Sequence, residues 1–136
     1  MAFVCDLLAV GLSQGYWSEI AYWMIAAGVV TGLLAAPLGI IDWFAIPSGT
    51  RAKRIAGVHG IGNVLVVVLF AVSWVMRGDA PATPGGVALT LSLAGACLAL
   101  FTGWLGGEPA DRLGVGVDNG AHVDAPSLLT RRRVRR

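Results

Sequence analysis

Apolar residues come in long uninterrupted runs, and polar ones gather between them. Ile20–Ile41 holds 22 residues and Gly85–Gly107 holds 23, neither with a charged side chain. A third run, Ile55–Met76, has only His59 and Asn63 as strongly polar members. A bilayer core needs about 20 apolar residues in a helix, so each run predicts a transmembrane helix. A helix also satisfies its own backbone hydrogen bonds where lipid supplies none. Ala2–Leu12 is apolar apart from Asp6. Its rise as a helix is roughly 16 Å, about half the hydrocarbon thickness, which predicts a short N-terminal helix. No Lys or Arg precedes that run, so it does not read as a secretion signal.

The predicted fold class is all-α: an integral membrane helical bundle with helices over residues 2–12, 20–41, 55–76 and 85–107. That is three full spans and one short helix, a truncated four-helix domain over residues 1–107. Residues 108–136 turn glycine-rich and polar and end in RRRVRR, predicting a cytoplasmic tail. Five tryptophans, Trp17, Trp23, Trp43, Trp74 and Trp104, fall near the ends of the runs, as amphipathic rings do at headgroup level.

Composition adds what the pattern leaves open. The chain has 136 residues, 56% hydrophobic and 13% charged, with a mean hydropathy of +0.72. So much apolar surface on so small a chain excludes a soluble globular enzyme and a disordered protein. Lys+Arg 10 against Asp+Glu 8 gives a net charge of +2, too little to argue for nucleic acid. The distribution matters more. Arg51, Lys53 and Arg54 link the second and third runs, and the tail carries five terminal arginines, whereas the opposite connections hold only Arg77. The positive-inside rule then predicts a multi-pass protein of the bacterial inner membrane, with the basic loop and both termini cytoplasmic. The triplet Arg77–Gly78–Asp79 reads as a helix-ending turn rather than an adhesion signal.

Small residues four apart suggest helix-packing faces: Gly28 and Gly32, Gly95 and Ala99, Gly103 and Gly107. Asp42, Arg51, Arg54, His59 and Asn63 form a polar cluster around the ends of the second and third runs. His59 and Asn63 lie one helical turn apart on one face. Functionally this is an ionisable site: a haem ligand, a proton relay or a lipid-headgroup site. Structurally it is a hydrogen-bonded clasp in which Asp42 meets Arg54 or His59. Haem b with His59 as an axial ligand would need a second ligand, and the other histidine, His122, lies in the tail. Cys5 and Cys97 have no motif spacing, and no metal-binding or nucleophile motif is present.

The run GIIDWFAIPSGTRAKRIAGVHGIGN (Gly39–Asn63) and the later GWLGGEPADRLGVGV (Gly103–Val117) resemble a bacterial membrane family, domain of unknown function 2231. The resemblance extends over roughly Ala2 to Val117. It implies a four-helix membrane domain, with Asp42, His59 and Asn63 at the positions of the family's Asp, His and Asn. Some relatives are joined to Rieske-type domains, implying redox company. The family's His-Pro and Phe-Pro lead-in has no counterpart here. The function expected is that of a non-enzymatic accessory or assembly subunit of a larger, possibly redox, membrane complex. Its partners would be the bilayer and other membrane chains or further copies. The alternative is a b-type haem electron-transfer protein, with a transporter or proton path through Asp42 and His59 as a third reading.

Overall fold

The computed structural model describes residues 1–111 and 113, with side chains in the last helix described as far as Gly107. Four α-helices follow one another: α1 (Ala2–Leu12), α2 (Gly15–Ala45), α3 (Arg51–Arg77) and α4 (Gly86–Asp111). No strand occurs among the described residues. The four expected helices are all present, and the long ones overrun the apolar runs. α2 starts five residues before Ile20 and ends four after Ile41, and α4 continues past Gly107 to Asp111. Charge-free runs measure the lipid-facing part of a helix, whereas helices continue through the polar headgroup zone. The expected tail beyond Asp111 lies, Leu113 apart, outside the described residues.

Residues with special backbone roles set the ends. Ser13 adopts a left-handed conformation (φ 54°) and turns α1 sharply into α2. Thr50 caps α3, its hydroxyl accepting from the Lys53 amide at 3.1 Å. Gly78 stops α3 at φ +46°, a region open to glycine at little cost, and its amide bonds the Val75 carbonyl at 3.1 Å. The Arg-Gly-Asp triplet is thus the end of a helix, with its arginine buried. α2 runs helical straight through Pro37, so the carbonyl of Leu33 loses its usual partner.

Neighbours in sequence pack as neighbours in space. α1 lies on α2, α2 on α3 and α3 most extensively on α4, and α1 closes the ring against α4. α1 and α3 therefore face each other across a diagonal. The outward surface is apolar nearly everywhere: Trp23, Leu34, Phe44, Val75, Leu100 and Trp104 are all about two-thirds exposed or more. In water such a surface would aggregate; in lipid it is the expected exterior. α2, α3 and Gly86–Gly107 of α4 are each long and apolar enough to cross a membrane, while α1 is not.

The interior holds mostly small and polar groups. Ala21, Ile25 and Ala88 are buried beside Asp6, Ser18, Ser73, Arg77, Ser92 and Thr102. Lipid removes the hydrophobic advantage of burying large side chains, so close backbone approach and interhelical hydrogen bonds hold such bundles together. Of the glycines expected at packing faces, Gly32 points at Val67 and Gly95 at the Phe70 ring, each with 3.0 Å to where a β-carbon would stand. Gly28 and Gly103 face open space instead. The tightest approaches fall elsewhere, at Gly62 against the Thr102 side chain and at Gly106 against the His59 ring.

Candidate functional site

Polar chemistry concentrates at the two ends of the bundle. At the end where α1 meets α2, Arg77 reaches across the diagonal to Asp6 in a bidentate pair, Nη1 to Oδ1 at 2.8 Å and Nη2 to Oδ2 at 2.7 Å. Both residues are only 2% exposed. Nη2 also donates to Ser92 Oγ at 3.0 Å. Ser73 Oγ donates to the Ala88 carbonyl at 2.7 Å and stands 3.3 Å from Ser92 Oγ. Since the Ser73 proton is committed to that carbonyl, the Ser92 hydroxyl must donate to Ser73. A directed chain results, from Arg77 through Ser92 and Ser73 to the α4 backbone, and such chains strengthen link by link. Arg77 Nε and Trp74 Nε1 are buried without a hydrogen-bond partner among the described residues.

Sequence reasoning did not single out this network. Asp6 reads as an interruption of an apolar run and Arg77 as a lone loop cation. A signal was present in the antiparallel topology, which brings the only acidic residue of the first run and the only basic residue of the opposite connections to one end of the bundle. Opposite charges sharing one end of a low-dielectric bundle are strongly drawn to pair.

The other end carries the expected cluster, and its members are arranged differently from the clasp. His59 Nδ1 lies 2.7 Å from the Thr102 carbonyl oxygen. A carbonyl only accepts, so Nδ1 carries the proton. Asn63 Nδ2 then donates to His59 Nε2 at 2.9 Å, joining the two residues as their one-turn spacing implied. His59 thereby stitches α3 to α4, not α3 to α2. The ring fits only because position 106 is glycine: a β-carbon there would come within 2.6 Å of His59 Cε1.

Asp42 and Arg54 do not meet. Both are exposed, and neither side chain makes a hydrogen bond or ion pair among the described residues. Arg51 is exposed at the first position of α3. The contact that ties α2 to α3 is made by Lys53. Its ammonium donates to the Trp43 and Ile46 carbonyls and sits 3.9 Å over the Trp43 ring, while Trp43 Nε1 donates back to the Lys53 carbonyl at 3.2 Å. Lysine prevails here because four methylenes let its charge reach the carbonyls that end α2, where the helix dipole favours a cation.

Between α2 and α3 at this end lies an open groove of about 700 Å³. Ala35, Gly39, Ala56, Gly57 and Gly60 form its small-residue walls, and Asp42, His59 and Asn63 supply its polar lining. A second groove of about 590 Å³ lies at the Met1 end of α1 and is lined by apolar side chains, Phe3, Met24, Val67, Phe70 and Leu100 among them, together with Gly28. No group of three or more His, Cys, Asp or Glu side chains capable of holding a metal occurs among the described residues. Cys5 is buried and Cys97 exposed, and neither is in a disulfide.

No curated protein and no solved structure matches the chain. Residues 1–119 match the model of the family described as predicted membrane protein, DUF2231. The match runs through all four helices and covers both stretches, Gly39–Asn63 and Gly103–Val117, that carry the resemblance. By its helices, its apolar exterior and this match, the chain belongs to the DUF2231 family of predicted membrane proteins.

Proposed function

We propose that the protein is a non-enzymatic accessory or assembly subunit of a larger membrane complex, with the basic Arg51–Arg54 end in the cytoplasm by the positive-inside rule. The observation that carries this reading is the second groove. It exposes apolar side chains of all four helices together with Gly28, whose position has nothing within 4 Å to pack on. Glycine in a helix costs about 1 kcal/mol relative to alanine, so an unpacked one on a concave face suits close approach by another helix. Gly32 is already filled by Val67, which leaves Gly28 as the position to test. Gly28→Leu should release stoichiometric partner chains, or convert an oligomer to monomer, while the melting temperature is kept. A wild-type chain that purifies as a stable monomer without partners would end the proposal.

A b-type haem at His59 is the competing reading, favoured by the Nδ1–H bond to a carbonyl, which is how ligating histidines are commonly oriented. It requires Nε2 to leave Asn63 and a second axial ligand from another chain. Absorbance in the Soret region, lost in His59→Ala, would establish it, and a colourless protein after haem loading would dismiss it.

A further inference from the structure

The groove between α2 and α3 has a chemistry of its own, independent of how the chain associates. Its walls follow two helical stripes. On α2 the stripe runs Ala35, Gly39, Asp42, and on α3 it runs Val64, Ile61, Gly57. Continuing the α3 stripe one turn toward the helix end, at i−3 from Gly57, reaches Arg54. Asp42 lines the groove, and Arg54, exposed one turn beyond the Gly57 wall, carries the opposite charge without pairing to it. Gly39 and Gly60, lower down, have nothing within 4 Å of a β-carbon position and ordinary helical φ, so neither packing nor a turn explains them. What they do is keep the groove floor open. Deeper still, Asn63 spends one amide hydrogen on His59, and its second hydrogen and its carbonyl oxygen have no partner among the described residues.

The geometry points to a binding site for a phospholipid with a zwitterionic, primary-ammonium headgroup, of the phosphatidylethanolamine type. The ammonium lies against the Asp42 carboxylate and the phosphate against Arg54. One acyl chain follows the Gly39–Gly60 floor, and the free Asn63 amide hydrogen meets an ester carbonyl. Charge complementarity selects this occupant. An anionic lipid would satisfy Arg54 but set its phosphate beside Asp42, and a soluble headgroup alone would leave the apolar floor unfilled. Lys53 cannot neutralise Asp42, because its ammonium is held by the α2 carbonyls and the Trp43 ring.

The test is native mass spectrometry of the full chain in mild detergent, titrated with phosphatidylethanolamine or phosphatidylglycerol. The ethanolamine lipid should be retained about fivefold more, the worth of one partly solvated charge contact. Asp42→Asn should bring that ratio close to one. Gly60→Leu should lower retention of both lipids several-fold, and Gly11→Leu, on α1 and outside the groove lining, should leave both unchanged. Soluble phosphoethanolamine at equal concentration should not compete. Equal retention of the two lipids by the wild type, a preference that survives Asp42→Asn or Gly60→Leu, or effective competition by phosphoethanolamine would each overturn the assignment.

Discussion

Asp6→Asn separates two accounts of what holds the short helix in place. The substitution keeps the shape and one oxygen acceptor for Arg77 but removes the carboxylate charge bonded to the guanidinium. If the pair acts as ordinary interhelical hydrogen bonding, the loss is about 0.6 kcal/mol, the average measured for such bonds in a membrane bundle. If it acts as a buried charge pair, removing one partner costs about 3–5 kcal/mol, because the other charge stays desolvated. Arg77 is the last residue of α3, next to the α3–α4 connection into which a long side chain could turn. Several contacts hold it in: Ser92 binds Nη2 at 3.0 Å, the side chain is fully covered, and the α3–α4 connection folds down so that the Ala82 carbonyl lies 2.8 Å from the β-carbon position of Gly15. The larger figure should therefore prevail, near 3 kcal/mol. Unfolding in mixed micelles of a mild detergent and dodecyl sulfate, followed by tryptophan fluorescence, measures it. The double variant Asp6→Leu/Arg77→Met removes both charges and should return to within about 1 kcal/mol of wild type, as apolar replacements of buried pairs often do. A loss of 0.6 kcal/mol or less for Asp6→Asn, with additive effects in the double variant, would refute the charge-pair account.

Other positions make separate predictions. Gly62→Ala should destabilise by about 1–3 kcal/mol, because its β-carbon collides with the Thr102 side chain, whereas Gly103→Ala should be neutral or raise stability by up to about 1 kcal/mol; the same unfolding assay reads both. Gly106→Ala should displace the His59 ring and so reproduce the loss caused by His59→Leu, about 0.6–1.7 kcal/mol, with little further effect when the two are combined. Lys53→Met should cost about 1–2 kcal/mol through its lost carbonyl and ring contacts, and Trp43→Phe in that background should cost less than it does alone.

The long helices were legible in the sequence because lipid imposes a single rule on every turn: three charge-free or nearly charge-free runs could only be spans. Their ends were less so, since α2 and α4 continue helical through polar residues that the apolar runs exclude. At the His59 end, the one-turn spacing to Asn63 predicted their bond, and local geometry sufficed. The third member of that site, the Thr102 carbonyl, carries no side-chain signal and depends on where α4 passes. The Asp42–Arg54 pairing failed for a related reason: closeness along the chain does not decide which of several nearby cations faces inward, and Lys53 was drawn to the end of α2. Asp6 and Arg77 are 71 positions apart, and only the closing of α1 onto α4 brings them together.

α2, α3 and α4, each long and apolar enough to span, should cross the membrane with the Asp6–Arg77 end and the His59 end on opposite sides. Impermeant maleimide labelling in sealed vesicles of known orientation tests this arrangement directly, using a cysteine-free chain with single cysteines at Ser48, in the α2–α3 connection, and at Thr83, in the α3–α4 connection. Ser48→Cys should label only from the cytoplasmic side and Thr83→Cys only from the opposite side. Labelling of both from the same side would contradict a spanning α3, and with it the bundle described above.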